Sequence, residues 1–120
     1  MTYDEIKTLL GMLDEPAQKL EMVMDIGARA ETVPDNAICT EIVGCASRVE
    51  FCRVGNRFYV SADSAVVRGV AVIIAAMVDG KNPDEIRKMD IAGEFAGLNL
   101  QLGAGRLNGV NSMIRFLQNL

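Results

Sequence analysis

Three cysteines are the residues of this sequence best suited to chemistry. They are Cys39, Cys45 and Cys52, and the 120-residue chain contains no histidine. Without histidine, neither a Ser-His-Asp triad nor a Cys-His pair can form. A thiolate needs no such partner to act as a nucleophile or a metal ligand, so the possible chemistry centres on sulfur.

Cys45 has the neighbours expected of an accessible thiol. Gly44, Ala46 and Ser47 are all small, and the four residues join two β-type segments. A turn is a poor place for burial, because loops run over the surface. Arg48, three residues further on, can favour the thiolate. From position alone, a reactive cysteine and an incidental one are equally supported.

Cys39 and Cys52 fall inside predicted strands, where packed side chains are the ordinary expectation. The alternative is an iron–sulfur or zinc-binding scaffold that uses Cys39, Cys45 and Cys52. Compact zinc sites usually contain closer cysteine pairs and a fourth ligand, which would have to be Asp or Glu here. Iron–sulfur sites also favour tighter cysteine runs.

The redox state of the cysteines is a separate expectation. The odd cysteine count and an expected reducing compartment predict thiols rather than disulfides.

Composition narrows the classes of partner. The formal net charge is −4, with 12 basic and 16 acidic residues, so nucleic acid and anionic membranes are poor partners. The polar, acidic N-terminus lacks the positive start and apolar stretch of a signal peptide. The longest apolar run, residues 70–78, falls far short of the ~20 residues that span a bilayer. We expect a cytoplasmic protein.

Residue periodicity predicts one α+β domain over residues 1–120. The expected architecture is a small three-stranded antiparallel sheet packed against helices, in the order α-α-β-β-β-α-α-α. The predicted helices cover residues 2–13, a segment that starts at Pro16 and is ended by residues 33–36, residues 65–78, a short segment opened by Asn82 and Pro83, a helix or turn within 91–102, and 106–117. The predicted strands cover residues 37–43, 48–54 and 57–62, with a turn at 44–47.

Two charged residues stand next to predicted helices. Asp63 precedes the most apolar helix, and we expect it to cap that helix. Arg106 follows the predicted loop 103–105, at the start of the last helix. The helix dipole does not favour a guanidinium there, so Arg106 is a candidate for holding an anion or a thiolate.

Three ordered blocks resemble the SufE-type sulfur acceptors. Residues 44–49, GCASRV, are similar to the Gly-Cys-x-Ser-x-Val core of that family. Residues 63–69 resemble the approach to its buried helix, and residues 105–110 with 113–115 resemble its terminal helix. The resemblance covers about residues 15–117. Glu50 stands where the family commonly has Trp, and Ala46 where Gln or Val is common.

The resemblance implies a SufE-like domain that carries sulfur. Cys45 would accept persulfide sulfur from a pyridoxal-phosphate-dependent cysteine desulfurase and pass it to an iron–sulfur scaffold complex. Arg106 matches the family's Arg near the cysteine loop, and Asp63 matches the family's acidic position. The protein would need no cofactor of its own, and it would act as a carrier and desulfurase activator rather than a stand-alone enzyme. A regulatory interaction module with an incidental cysteine is a further alternative.

The chemistry of the residues is compatible with sulfur transfer. Exchange onto a sulfur–sulfur bond needs a thiolate and access, not a general base. We expect Arg48 or Arg106 to promote the thiolate. We also expect Cys45 to rest inward, with Gly44 and Ala46 allowing the loop to swing it out.

Overall fold

The fold consists of six helices and one three-stranded sheet. The computed structural model describes residues 1–120. The elements are α1 (Tyr3–Gly11), α2 (Pro16–Ala28), β1 (Ile38–Glu41), β2 (Val49–Val54), β3 (Arg57–Ala62), α3 (Ala65–Val78), α4 (Pro83–Arg87), α5 (Ile91–Ala96) and α6 (Ala104–Leu117). The predicted class and element order are confirmed, and the segment predicted as a helix or turn forms α5. The chain from Ala104, predicted as a loop, already belongs to α6.

The helix starts follow local capping rules. Thr2 and Glu5 form a capping box at α1: the Glu5 amide donates to Thr2 Oγ1 and the Thr2 amide donates to Glu5 Oε1. At α3 the cap is Ser64, whose Oγ accepts from the Val67 amide at 3.4 Å. The prediction that Asp63 caps α3 is wrong, because the cap is the residue directly before the first helical one.

The sheet is an antiparallel meander in the order β1-β2-β3. Side chains alternate between its faces. Val49 and Phe51 of β2 and Val60 of β3 are buried in the core that includes α3. Strand β1 lies at the edge, and all four of its residues are exposed.

Cys39 and Cys52 form a disulfide, so the prediction that all three cysteines are thiols is wrong. The two residues are direct partners in the β1–β2 ladder, with their Cα atoms 4.0 Å apart. The Ile42 amide bonds the Val49 carbonyl, which places Cys39 and Cys52 at a non-hydrogen-bonded position three pairs along the ladder. Side chains approach most closely at such positions. An expected reducing compartment says nothing about strand register, so it could not predict that these two cysteines are direct ladder partners.

Helix α3 is the centre of the core. It contacts α1, α2, α5, α6, β2 and β3, as expected of a helix that is apolar nearly all round. Two glycines let α2 and α3 touch backbone to backbone. A Cβ on Gly69 would lie 2.0 Å from the Val23 carbonyl oxygen, and one on Gly27 would lie 2.6 Å from the Gly69 nitrogen.

No helix has both the length and the apolar composition needed to cross a membrane.

Adding a methyl group at the contact between α2 and α3 should destabilise the protein. We expect Gly69→Ala to lower the free energy of unfolding by about 2 kcal/mol or more, because the helices must separate. The melting temperature should fall by roughly 5–10 °C in thermal denaturation. Gly11→Ala is the control, since nothing lies within 4 Å of a Cβ there. Equal melting temperatures for the two variants would contradict the close packing of α2 on α3.

Candidate functional site

Cys45 lies on the loop between β1 and β2, hereafter the Cys45 loop (residues 42–48). Gly44 has a φ of +100°, in the region that favours glycine. A Cβ on Gly44 would also lie 2.5 Å from Ser112 Oγ on α6. Glycine therefore allows both the turn and the close approach of the loop to α6.

The Cys45 thiol rests inward against α6. It is half-buried, and its Sγ–H donates to the Gly109 carbonyl oxygen at 3.6 Å. A Cβ on Gly109 would lie 3.3 Å from Cys45 Sγ, closer than side chains ordinarily pack. Gly109 thus supplies both the acceptor for the thiol and the space for it. The inward resting position agrees with the expectation from the sequence.

A pocket of about 40 Å³ lies beside the thiol. Val67 and Val70 from α3 and Met113 from α6 line it together with Cys45 and Ser47. Ser47 Oγ is buried there without a hydrogen-bond partner. The pocket is large enough for one group of about the size of a water molecule. It offers that group an apolar wall and one sulfur atom, and the Ser47 hydroxyl is buried beside it.

The pKa of Cys45 moves in the direction opposite to the expected one. Burial raises the pKa of the thiol, because ionisation would create a charge where water is partly excluded. Arg48 does not offset this effect. Its guanidinium lies 2.5 Å from Glu50 Oε1 and 3.7 Å from Glu41 Oε1. The prediction that Arg48 promotes the thiolate is wrong for the resting state, because two nearby carboxylates bind its charge.

Arg106 and Asp63 occupy different positions around the loop. Arg106 is exposed, lines the pocket beside Cys45 and takes part in none of the six ion pairs. In the resting structure it does not lower the pKa of the thiol. Asp63 is exposed and outside the pocket, and its amide donates to the Arg48 carbonyl at 3.2 Å. The structure therefore brings Arg106 to the cysteine and Asp63 only to the end of its loop.

Two members of this site escaped sequence reasoning. Gly109 and Ser47 both lie in the blocks that carry the family resemblance, and that was the available signal. Their roles depend on tertiary structure. Gly109 lies 64 residues from Cys45 in the sequence, and only the folded structure shows that the Ser47 hydroxyl is buried without a hydrogen-bond partner.

The geometry does not support the metal-site alternative. Cys39 and Cys52 are bonded to each other and so are not free thiolate ligands. No group of three His, Cys, Asp or Glu side chains is placed to hold a metal ion. A three-cysteine scaffold would require breaking the disulfide and rearranging the strands.

Comparison with known proteins assigns the family. Residues 4–120 match the family model described as SufE, Fe-S metabolism associated domain. The chain belongs to the SufE family. An uncharacterized SufE-like protein from Rhizobium meliloti is 28% identical, over 98% of this chain and 93% of that protein. The sulfur acceptor protein CsdE of Escherichia coli is 25% identical, over 94% of this chain and 83% of its own length.

A solved structure shares the fold. The solution structure of a hypothetical protein from Thermus thermophilus superposes with a TM-score of 0.77 and 16% sequence identity. The match covers 99% of this SufE-family chain and 94% of the other. The two proteins therefore share the α+β architecture around α3 although their sequences have little in common.

Crowding Gly109 should release the thiol. We expect Gly109→Ala to raise the rate of Cys45 alkylation by iodoacetamide roughly fivefold, the change that about 1 kcal/mol produces. The added methyl group would meet Sγ and weaken the inward position. Gly11→Ala, on α1 and outside the pocket, also has open space around its Cβ and should leave the rate unchanged. Equal rates in both variants would contradict the role of Gly109, and mass spectrometry of the labelled protein reads out each rate.

The raised thiol pKa predicts how the loop responds to pH. Proton binding is stronger in the inward state than in an open or unfolded one, so the inward state is favoured at low pH. That preference should be lost as the pH rises from the ordinary thiol pKa through the raised one. We expect the alkylation rate of native Cys45 to rise at a higher pH than that of the urea-unfolded chain. A native midpoint at or below the unfolded one would refute the protonated resting state.

Proposed function

We propose that this protein is a sulfur carrier that accepts persulfide sulfur at Cys45 from a pyridoxal-phosphate-dependent cysteine desulfurase. It passes the sulfur to an iron–sulfur scaffold complex in the cytoplasm. The main support is the position of Cys45: the one free thiol of a SufE-family chain lies on a glycine-hinged loop beside a small pocket. The relative named as the sulfur acceptor protein CsdE supports the same role.

The transfer step balances without an oxidant or a base residue. The Cys45 thiolate attacks the outer sulfur of the donor's persulfide, and the donor's sulfur–sulfur bond breaks. The new bond joins Cys45 Sγ to the transferred sulfur, while the donor cysteine leaves as a thiolate and takes up the proton that Cys45 loses. One thiol and one persulfide give one persulfide and one thiol. Nucleophilicity and access decide the rate, which fits a chain without histidine.

The loop must open for this step. In the resting state the Cys45 sulfur faces α6 and its pKa is raised by burial. Rotation at Gly44 would break the contact with the Gly109 carbonyl and expose the thiol. Val43, next to the hinge, is 90% exposed and gives a desulfurase an apolar side chain to bind. Binding of the partner therefore supplies both access and the conditions for ionisation.

Arg106 and Asp63 take supporting roles in the proposal. Arg106 has no ion-pair partner and lies at the pocket, so it can hold the negative charge of a persulfide. Asp63 is joined to the Arg48 carbonyl through its amide, which positions it where the Cys45 loop meets β2.

The carrier role also accounts for stimulation of the desulfurase. Removing persulfide from the desulfurase frees its cysteine for another turnover.

Sulfur loading can be measured directly. We expect intact-mass spectrometry to find one added sulfur atom after incubation with L-cysteine and an active desulfurase. Cys45→Ser should gain none, because it lacks the accepting thiol. The Cys39→Ser/Cys52→Ser double variant should still gain one. Alanine production and loading of its own acceptor confirm that each desulfurase in the panel is active.

Two outcomes would contradict the proposal. One is sulfur on Cys45→Ser at the wild-type level. The other is an unloaded wild-type protein with every active desulfurase of a panel that spans the known acceptor-dependent types. Stimulation that persists in Cys45→Ser would instead favour the regulatory module with an incidental cysteine.

A further inference from the structure

The Cys39–Cys52 disulfide is a second sulfur centre, separate from the Cys45 pocket. Cys39 is exposed on the edge strand β1, whereas Cys52 is fully buried in the middle strand β2. We propose that this disulfide is a redox-active couple that exchanges with a dithiol reductant at the Cys39 sulfur, and that its reduction frees the Cys45 loop. The inference goes beyond the proposed carrier role and does not depend on it.

The difference in exposure selects the sulfur that is attacked. Thiol–disulfide exchange requires access of the incoming thiolate to one sulfur atom. Strand β1 has a partner on one side only, so its outer edge leaves Cys39 open. Cys52 is flanked by Cys39 on one side and by Tyr59 of β3 on the other. Exposed disulfides are also the reducible ones, whereas buried structural disulfides resist reduction.

The closeness of Cys52 to Cys39 favours a dithiol over a single thiol as the reductant. A single thiol that attacks Cys39 forms a mixed disulfide there and releases the Cys52 thiol. Cys52 remains the ladder partner of Cys39, so it can attack back and expel the incoming group. A dithiol overcomes this reversal, because its second thiol competes with Cys52 for the mixed disulfide and its attack releases the reductant as a disulfide. Both reactions of this kind are intramolecular and therefore fast.

The complete reaction balances. The first reductant thiolate bonds to Cys39, and Cys52 leaves as a thiolate that takes up a proton. The second reductant thiolate then bonds to the first sulfur of the reductant, and Cys39 leaves and is protonated. Two electrons and two protons pass to the protein, which gains two thiols, and the reductant becomes a disulfide.

Reduction acts on the Cys45 loop because the disulfide joins the two strands that carry it. Cys39 lies six residues before Cys45 and Cys52 lies seven residues after it. Strand β1 is otherwise held by its ladder with β2, by the buried Ile42 side chain and by the weak ion pair between Glu41 and Arg48. Opening the disulfide removes the covalent tie at the far end of β1. The loop then gains freedom to move away from α6.

The first measurement tests coupling in the wild-type protein without any desulfurase. Dithiothreitol should reduce the disulfide in the folded protein, with a mass gain of two hydrogens and two new alkylatable thiols. Peptide mapping should then show that Cys45 is alkylated severalfold faster than in the oxidised protein. The Cys39→Ser/Cys52→Ser double variant should match the reduced rate with or without dithiothreitol. Equal Cys45 rates in all three forms would overturn the coupling.

A matched pair of variants tests the site of attack. In Cys52→Ser, the exposed Cys39 should form a mixed disulfide readily with glutathione disulfide. In Cys39→Ser, the buried Cys52 should react severalfold more slowly or not at all. Circular dichroism checks that both variants are folded. Preferential labelling of Cys52, or a wild-type disulfide that dithiothreitol reduces only after urea unfolding, would overturn the proposal. Sulfur loading at Cys45 is read separately, so the two proposals can fail independently.

Discussion

The structure depends on the burial of α3, which the other elements cover except along a half-buried stripe that includes Arg68, Val72 and Ala76. A helix with so few polar residues must bury most of its surface, so the sheet, α1, α2, α5 and α6 pack against it. Gly69 is the point where this requirement is strictest, because its missing side chain lets the Val23 carbonyl of α2 reach the helix backbone. The sheet, α1, α5 and α6 then pack on the parts of α3 that α2 does not cover. Hydrophobic burial thus determines where the sulfur chemistry can take place.

The Cys45 site is a product of that arrangement. Strands β2 and β3 cover one part of α3 and α6 covers another, so the loop that precedes β2 is brought against α6. The pocket takes Val67 and Val70 from α3 itself and Met113 from α6. Gly44 and Gly109 then allow contact between loop and helix. The two glycines do for the site what the glycines of α2 and α3 do for the core.

The sequence predicts best what depends on local composition. The bounds of α3 and β3 coincide with the predicted ones, since an apolar run and an alternating strand are local patterns. The Cys39–Cys52 pairing escaped prediction because it depends on strand register. The raised pKa of the Cys45 thiol escaped prediction because its cause is burial, which exists only after the loop has packed on α6. The pairing of Arg48 with Glu50 also depends on side-chain directions that residue spacing does not show. Gly109 could be recognised as part of a motif, but its contact with Cys45 exists only after α6 has packed.

The Sγ–H contact with Gly109 also bears on damage by oxidants. Peroxides convert thiolates to sulfenic acid and then to forms that cannot be recovered, whereas a protonated thiol reacts far less. Because the resting thiol is protonated and covered, small oxidants meet little thiolate. Under the proposed carrier role, Cys45 becomes strongly nucleophilic chiefly when a partner surface large enough to open the loop is already bound.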